Sequence, residues 1–292
     1  MSANSISPSR IPTPASGEAR ADGSGMPPGA AHRGRAPAAE AASFRTFRAI
    51  CERIAARFDR QGGGYLELHL RRFYDTYAFI LRHYGEPARL ASLGAGSAYV
   101  EAVLAELHGA RVTVFDLPEA LPHHATLYES LSFQVVPVDL SRPVASPART
   151  QAIDLILCAE VIEHLPLAPS TQFSHAFARI GAAAPLVVTT PNSGSLRHLL
   201  KLLFMQPLLP PAELTFAECS YGTEGVHRRE YLAREIRDAF SAVGHELKAL
   251  EYSWYHRPVE MTETVIYPLE LLTPRFRPCM LAGSTPRRAA AS

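Results

Sequence analysis

Beyond Pro87 the chain repeats one pattern: a short unbroken apolar run, then a stretch whose apolar residues fall three and four apart. The runs are RLASLG, VTVFDL, FQVVPVDL, IDLILCAE and PLVVTT. Continuous apolar runs alternating with helical segments belong to parallel strands buried on both faces. An open, doubly wound α/β sheet with helices on both faces is therefore expected. Upstream, FRTFRAICERIAARF and YLELHLRRFYDTYAFILRHY carry helical spacing, with the QGGG break between them, which predicts two helices before the first strand. Downstream, HRREYLAREIRDAFSAVG predicts a helix ending near Gly244, and a strand should follow from about Leu247 to Trp254. TETVIYP reads as one more strand, and the last dozen residues read as frayed.

These patterns divide the chain into residues 1–42, 43–86, 87–268 and 269–292. The first is rich in Ser, Pro, Gly and Ala and too poor in large apolar groups to order itself, so it reads as a disordered tail. The second is helical, the third is the α/β domain, and the fourth is a partly disordered extension. Within the third, the apolar stretch LRHLLKLLFMQPLLP is interrupted by Arg197, His198, Lys201 and prolines, so no transmembrane segment is expected. Core packing is its first reading, with an acceptor pocket or a membrane surface as alternatives.

Composition narrows the function classes. The formal net charge is +1, and only Lys201 and Lys248 among the 29 basic residues are lysines. Nothing global marks a nucleic-acid footprint, so no nucleic-acid partner is expected. Arg228, Arg229, Arg234 and Arg237 alternate with acids, as on a solvated helix face. His123 and His124 follow a proline and read as surface residues. Cys51, Cys158, Cys219 and Cys279 form no C-x-x-C pair, which fits neither a zinc knuckle nor a disulfide framework and suits a reducing, cytoplasmic compartment.

Ligands of doubly wound sheets sit at the carboxyl ends of the strands. In LASLGAGSAYVEAVLAEL, Gly94 and Gly96 provide the tight turn and close backbone approach that such a ligand needs. Asp116 ends the next strand about twenty residues on, where a ribose diol is accepted by a carboxylate. A nicotinamide dinucleotide, an adenosyl cofactor and a simple strand-to-helix turn all remain open at this point. Tyr99 stands where a dinucleotide fingerprint wants its third glycine, which disfavours an NAD-linked oxidoreductase.

The order of motifs resembles the class I S-adenosylmethionine-dependent methyltransferases, in the branch of the ubiquinone-biosynthesis O-methyltransferases. The matching stretches are LASLGAGSA, VTVFDL, VVPVDL, DLILCAEVIEHL and VVTTPN, with GVHRREYLAREIRDAFSAVG before the final strands. The resemblance implies a Rossmann-like, mostly parallel seven-stranded sheet with an N-terminal helical lid, S-adenosyl-L-methionine as cofactor, and a small-molecule acceptor methylated on oxygen. It implies Gly94, Ala95 and Gly96 along the methionine moiety and Asp116 on the ribose, with Leu117 beside it. Asp139 falls beside the adenine amine, Leu140 against the ring, and Glu160 near the cofactor. The chain departs from the family at Ser92, where an acid is usual, and at Ala98, where a glycine is. The missing acid keeps open a methyltransferase-like binding module without chemistry.

A hydroxyl acceptor needs a base, and His164 after the fourth strand and His227 before the late helix are the candidates, with Glu163 beside them. Glu160-Val161-Ile162-Glu163-His164, joined by His227, also resembles the divalent-metal site of small-RNA 2′-O-methyltransferases. Two carboxylates and two imidazoles would suit a cation on a ribose diol. The plainer alternative makes the two glutamates scaffold.

Overall fold

The computed structural model describes residues 40–58, 64–143, 152–180, 184–209, 227–255 and 261–287. Residues 1–39 of the tail proposed over 1–42, the QGGG break up to residue 63, and Cys219 lie outside the described residues. All described residues belong to one compact unit.

Two helices, α1 (Phe44–Phe58) and α2 (Gly64–Tyr84), precede the sheet, as their spacing predicts. The strands are β1 (Arg89–Leu93), β2 (Arg111–Asp116), β3 (Gln134–Pro137), β4 (Leu155–Ala159), β5 (Leu186–Pro191), β6 (His245–Ser253) and β7 (Cys279–Pro286). They form one seven-stranded sheet in the order β3-β2-β1-β4-β5-β7-β6. The first five are parallel, and β7 runs antiparallel to both its neighbours. Between the strands lie α3 (Tyr99–His108), α4 (Leu121–Ser130), α5 (Pro169–Ile180), α6 (Leu196–Leu203), α7 (Ala233–Ala242) and α8 (Met261–Leu272).

Alternate residues of a strand face opposite sides of the sheet, and here both sides are apolar. Leu90, Val112, Val114, Leu155 and Val187 pack with α1, α2 and α3. Ala91, Leu93, Phe115, Ile156 and Val188 pack with Phe173 of α5 and Ile236 and Phe240 of α7. Both faces being covered is why the runs read as unbroken apolar stretches rather than alternating ones.

Three expectations are corrected. TETVIYP is not a strand but part of α8: Ile266 and Glu270, four apart, turn inward, while Leu269, Leu271 and Leu272 are exposed. Four-residue spacing is the helical period, and an apolar run this short does not distinguish the two structures. The expected fraying of the last dozen residues and the partly disordered extension over 269–292 give way to a strand, because Cys279 to Ser284 are buried as β7 between β5 and β6, while residues 288–292 lie outside the described residues. The sheet domain therefore runs past residue 268. Gly283 suits that slot, since a Cβ there would run into the Tyr84 hydroxyl. Finally, the segment after β5 is not core: α6 contains no buried residue.

Candidate active site

The carboxyl ends of β1, β2, β4 and β5 open onto one cavity of about 1190 Å³. Its floor is the turn after β1. Gly94 has φ +63°, its N–H donates to the Phe115 carbonyl at 2.8 Å, and an added Cβ would lie 2.8 Å from Val161 Cγ2. Backbone conformation and crowding thus both select glycine here. Gly96 accepts a hydrogen bond from the buried Tyr128 hydroxyl at 3.0 Å, and Ala98, at φ 50°, makes the left-handed step into α3. Tyr99 is buried with its ring 5.2 Å from that of Phe73, so the bulky side chain is spent on joining α3 to α2.

The departure at Ser92 has a structural answer. Its hydroxyl donates to Glu101 Oε1 at 2.5 Å, and Glu101, buried in the first turn of α3, lines the cavity. A carboxylate thus stands beside Ser92, carried by α3 rather than by β1. Burial pushes the Glu101 acid above its ordinary range, against the pull of the Ser92 hydroxyl.

Asp116, Leu117, Leu140 and Glu160 all line the cavity with Gly94, Ala95 and Gly96, as do His164 and His227. Asp139 is placed differently. It is not among the cavity-lining residues, and Oδ1 accepts from the Ser141 N–H at 2.8 Å while Oδ2 pairs with Arg142 at 3.0 Å. Val138 and Leu140, the alternate residues, face the cavity instead. His123 and His124 lie in the first turn of α4, His123 exposed and His124 half-buried, and both line the cavity. Arg228 is buried ahead of α7, donating its backbone N–H to the Glu163 carbonyl at 2.8 Å, whereas Arg229 and Arg234 pair with Glu235 and Asp238 on the exposed face.

Glu160 sits at φ 56°, a left-handed conformation that a glutamate adopts only when its surroundings hold it. They do: Arg72 Nη1 of α2 lies 2.8 Å from Oε2, and the Thr189 hydroxyl donates to Oε1 at 2.9 Å. The Arg72 guanidinium also lies over the rings of Tyr255 and Phe73, at 5.0 and 5.1 Å. Burial disfavours its charge, but Glu160 and the nearby phenols more than offset this and hold Arg72 above its ordinary pKa. Sequence reasoning passed over this wall. Tyr65, His69, Arg72 and Thr76 of α2 all line the cavity. Their four-three-four spacing marks a second helical stripe beside the apolar one, and it was readable in YLELHLRRFYDT.

Glu163 is 0% exposed, with Oε2 accepting from the Thr190 hydroxyl at 3.1 Å. Oε1 accepts no hydrogen bond among the described residues and lies 3.9 Å from His164 Nε2. Burial, and after it the Glu160 carboxylate, pushes the Glu163 acid well above its ordinary range. The His164 and His227 rings meet edge to face at 5.0 Å, and ligating atoms of Glu163, His164 and His227 lie within 4.8 Å of one another. Glu160, which the four-residue metal pattern includes, is held instead by Arg72 and Thr189.

A family model described as a methyltransferase domain matches residues 45–250, most of the chain. The chain belongs to this methyltransferase-domain family. It is a class I, S-adenosylmethionine-dependent methyltransferase, and S-adenosyl-L-methionine is its cofactor. Three solved structures are similar. A chain of the complex between the Haloferax volcanii Trm112 methyltransferase activator and the putative methyltransferase is 14% identical, with TM-score 0.54, covering 82% of this chain and 98% of that one. A Thermotoga maritima SAM-dependent methyltransferase, described as a possible histamine N-methyltransferase, is 11% identical with TM-score 0.50, covering 81% and 100%. Magnesium protoporphyrin IX methyltransferase from Synechocystis is 15% identical with TM-score 0.49, covering 83% and 95%. The first two show the shared fold. No curated protein sequence matches the chain.

Proposed function

We propose that this methyltransferase moves a methyl group to a hydroxyl oxygen of a small molecule held between α2 and the β4 loop. What supports this most directly is that one cavity joins the glycine turn to two imidazoles. At about 1190 Å³ it exceeds the range of about 300–1,000 Å³ typical of a single-ligand pocket. It has room for a donor and an acceptor together.

The wall fits the donor group by group. Gly94, Ala95 and Gly96 let the backbone approach an amino-acid moiety, whose ammonium is matched by Glu101 rather than by a residue of β1. Asp116 accepts from the ribose hydroxyls, with Leu117 alongside, and Leu140 gives an apolar surface to the purine. Glu160 acts by holding Arg72, which fixes α2 over the site. When bound, the cofactor supplies an activated methyl group on a good leaving group. The protein's task is then alignment, worth roughly 7–11 kcal/mol in effective concentration. His164 and His227 stand on the acceptor side, where an imidazole can take the hydroxyl proton. Free Cys51, Cys158 and Cys279 suit a reducing cytoplasm.

A second reading is favoured by Glu163 Oε1, a buried oxygen that accepts no hydrogen bond among the described residues and lies 3.9 Å from His164 Nε2. A proton or a divalent cation satisfies such an oxygen, and His227 completes a three-ligand set that could hold an acceptor diol.

The test is calorimetric titration with S-adenosylhomocysteine and, separately, NADH, followed by an acceptor screen with and without Mn²⁺. Asp116→Ala should weaken S-adenosylhomocysteine roughly 10- to 150-fold, the worth of about 1.5–3 kcal/mol for a hydrogen bond to a charged group. Preference for NADH would overturn the cofactor assignment. Binding without turnover of any acceptor would favour a module without chemistry. Turnover abolished by EDTA would favour the metal reading.

A further inference from the structure

Helix α6 is mounted in reverse. A surface helix ordinarily turns its apolar stripe to the core and its polar side to water. Here the polar side holds the helix to the body. His198 Nδ1 lies 3.1 Å from the Asn192 carbonyl and Nε2 lies 3.1 Å from Glu230, while Arg197 Nε is 3.8 Å from the buried Glu270. The apolar side faces out. Leu199, Leu202 and Leu203, at i, i+3 and i+4, are exposed, and Phe204 and Met205 follow them at 69% and 91% exposure. Helix α8 packs beside α6 and adds exposed Leu269, Leu271 and Leu272.

Among the described side chains, the exposed charge on this face has one sign. Across residues 193–209 and 266–277 the only acid is Glu270, which is 1% exposed beneath the patch. Lys201 and Arg275 are exposed in the same segments. On a chain of net charge +1 this is a local basic rim around an apolar surface.

We propose that this face docks on an anionic lipid bilayer, with α6 lying in the interface plane. Leu202, Leu203, Phe204 and Met205 enter the acyl boundary, and Lys201 and Arg275 meet headgroup phosphates. The helix does not span, since no described helix is long and apolar enough to cross a membrane. A second copy of the chain is a poorer occupant. A two-fold contact sets the patch against itself, bringing Lys201 and Arg275 against basic groups with no exposed acid among the described side chains of the patch to meet them. This proposal stands apart from the identity of the methyl acceptor.

Flotation of the full chain with phosphatidylcholine vesicles, and with phosphatidylcholine–phosphatidylglycerol vesicles, tests it. The expected result is partitioning roughly tenfold stronger onto the mixed vesicles, weakened by salt. Leu202→Glu with Leu203→Glu should abolish flotation while leaving the far-ultraviolet circular dichroism unchanged, because both side chains are exposed. Lys201→Glu, which leaves the apolar face intact, should remove most of the preference for anionic lipid. Absence of flotation with either vesicle would overturn the proposal. So would flotation insensitive to the double substitution, or a dimer at sedimentation equilibrium that the same substitution dissociates.

Discussion

Replacing Arg72 by methionine removes the positive half of a buried ion pair while keeping an unbranched stem of similar length. The two side chains are 5% and 12% exposed, so Glu160 loses its counter-ion where little water can replace it. Removing one partner of such a pair costs about 3–5 kcal/mol. For a domain of this size, at about 2–4 °C per kcal/mol, the midpoint of thermal unfolding should fall by roughly 6–20 °C. The decisive comparison is the double variant Arg72→Met, Glu160→Gln. It leaves no uncompensated charge, and the introduced amide still offers an oxygen to the Thr189 hydroxyl, so it should be more stable than Arg72→Met alone. Calorimetry or circular dichroism melts of the four proteins, closed as a cycle, measure this directly. If the double variant shows the simple sum of the two single losses, within about 0.5 kcal/mol, the two side chains are uncoupled and the reasoning fails.

Gly94→Ala should lose about 1–3 kcal/mol to its left-handed backbone, with a further loss from the contact to Val161; adding Val161→Ala should recover only the second part in urea unfolding. Glu101→Gln should weaken S-adenosylhomocysteine by roughly 10- to 150-fold in calorimetry if the carboxylate meets the ammonium, at about 1.5–3 kcal/mol for a charge-assisted bond. The same substitution should stabilise the ligand-free protein. Because burial raises the native pKa of Glu101 above its unfolded value, folding favours the protonated acid, and native stability falls as pH rises from the unfolded pKa through the raised one. The gain from glutamine should therefore be small at low pH and larger at neutral pH, and melting temperatures across that range would show it.

The sheet was readable because β1, β2, β4 and β5 are covered on both faces, so burial writes itself into the chain as unbroken apolar runs, whereas the edge strand β3 is mostly exposed. The glycine turn was readable for a local reason too, since the left-handed backbone at Gly94 narrows the residue choice at a single position. Asp116, Glu160, His164 and His227 were legible as candidates because they lie at or near the ends of elements that share one edge of the sheet. Asp139 shows where that logic stops: its neighbours on either side face the cavity, and the alternation of side chains turns its carboxylate to Ser141 and Arg142 instead.

Long-range placement stayed hidden. CMLAGSTP becomes the second-last strand of the sheet order only because β5 and β6, distant in sequence, leave a slot that its small residues and Gly283 can enter. TETVIYP carries an apolar run too short to declare its period, and as part of α8 it sets Tyr267 against Trp254. Glu101 comes from α3 to meet Ser92, and Arg72 comes from α2 to hold Glu160, pairings across nine and eighty-eight positions that no local pattern encodes. The amino-acid sequence by itself determined the layers, the parallel core and the strand-end residues, because those follow from local period and burial. The tertiary structure decided which charges meet inside the cavity and which apolar face is left outward, because both depend on what distant segments bring to the same place.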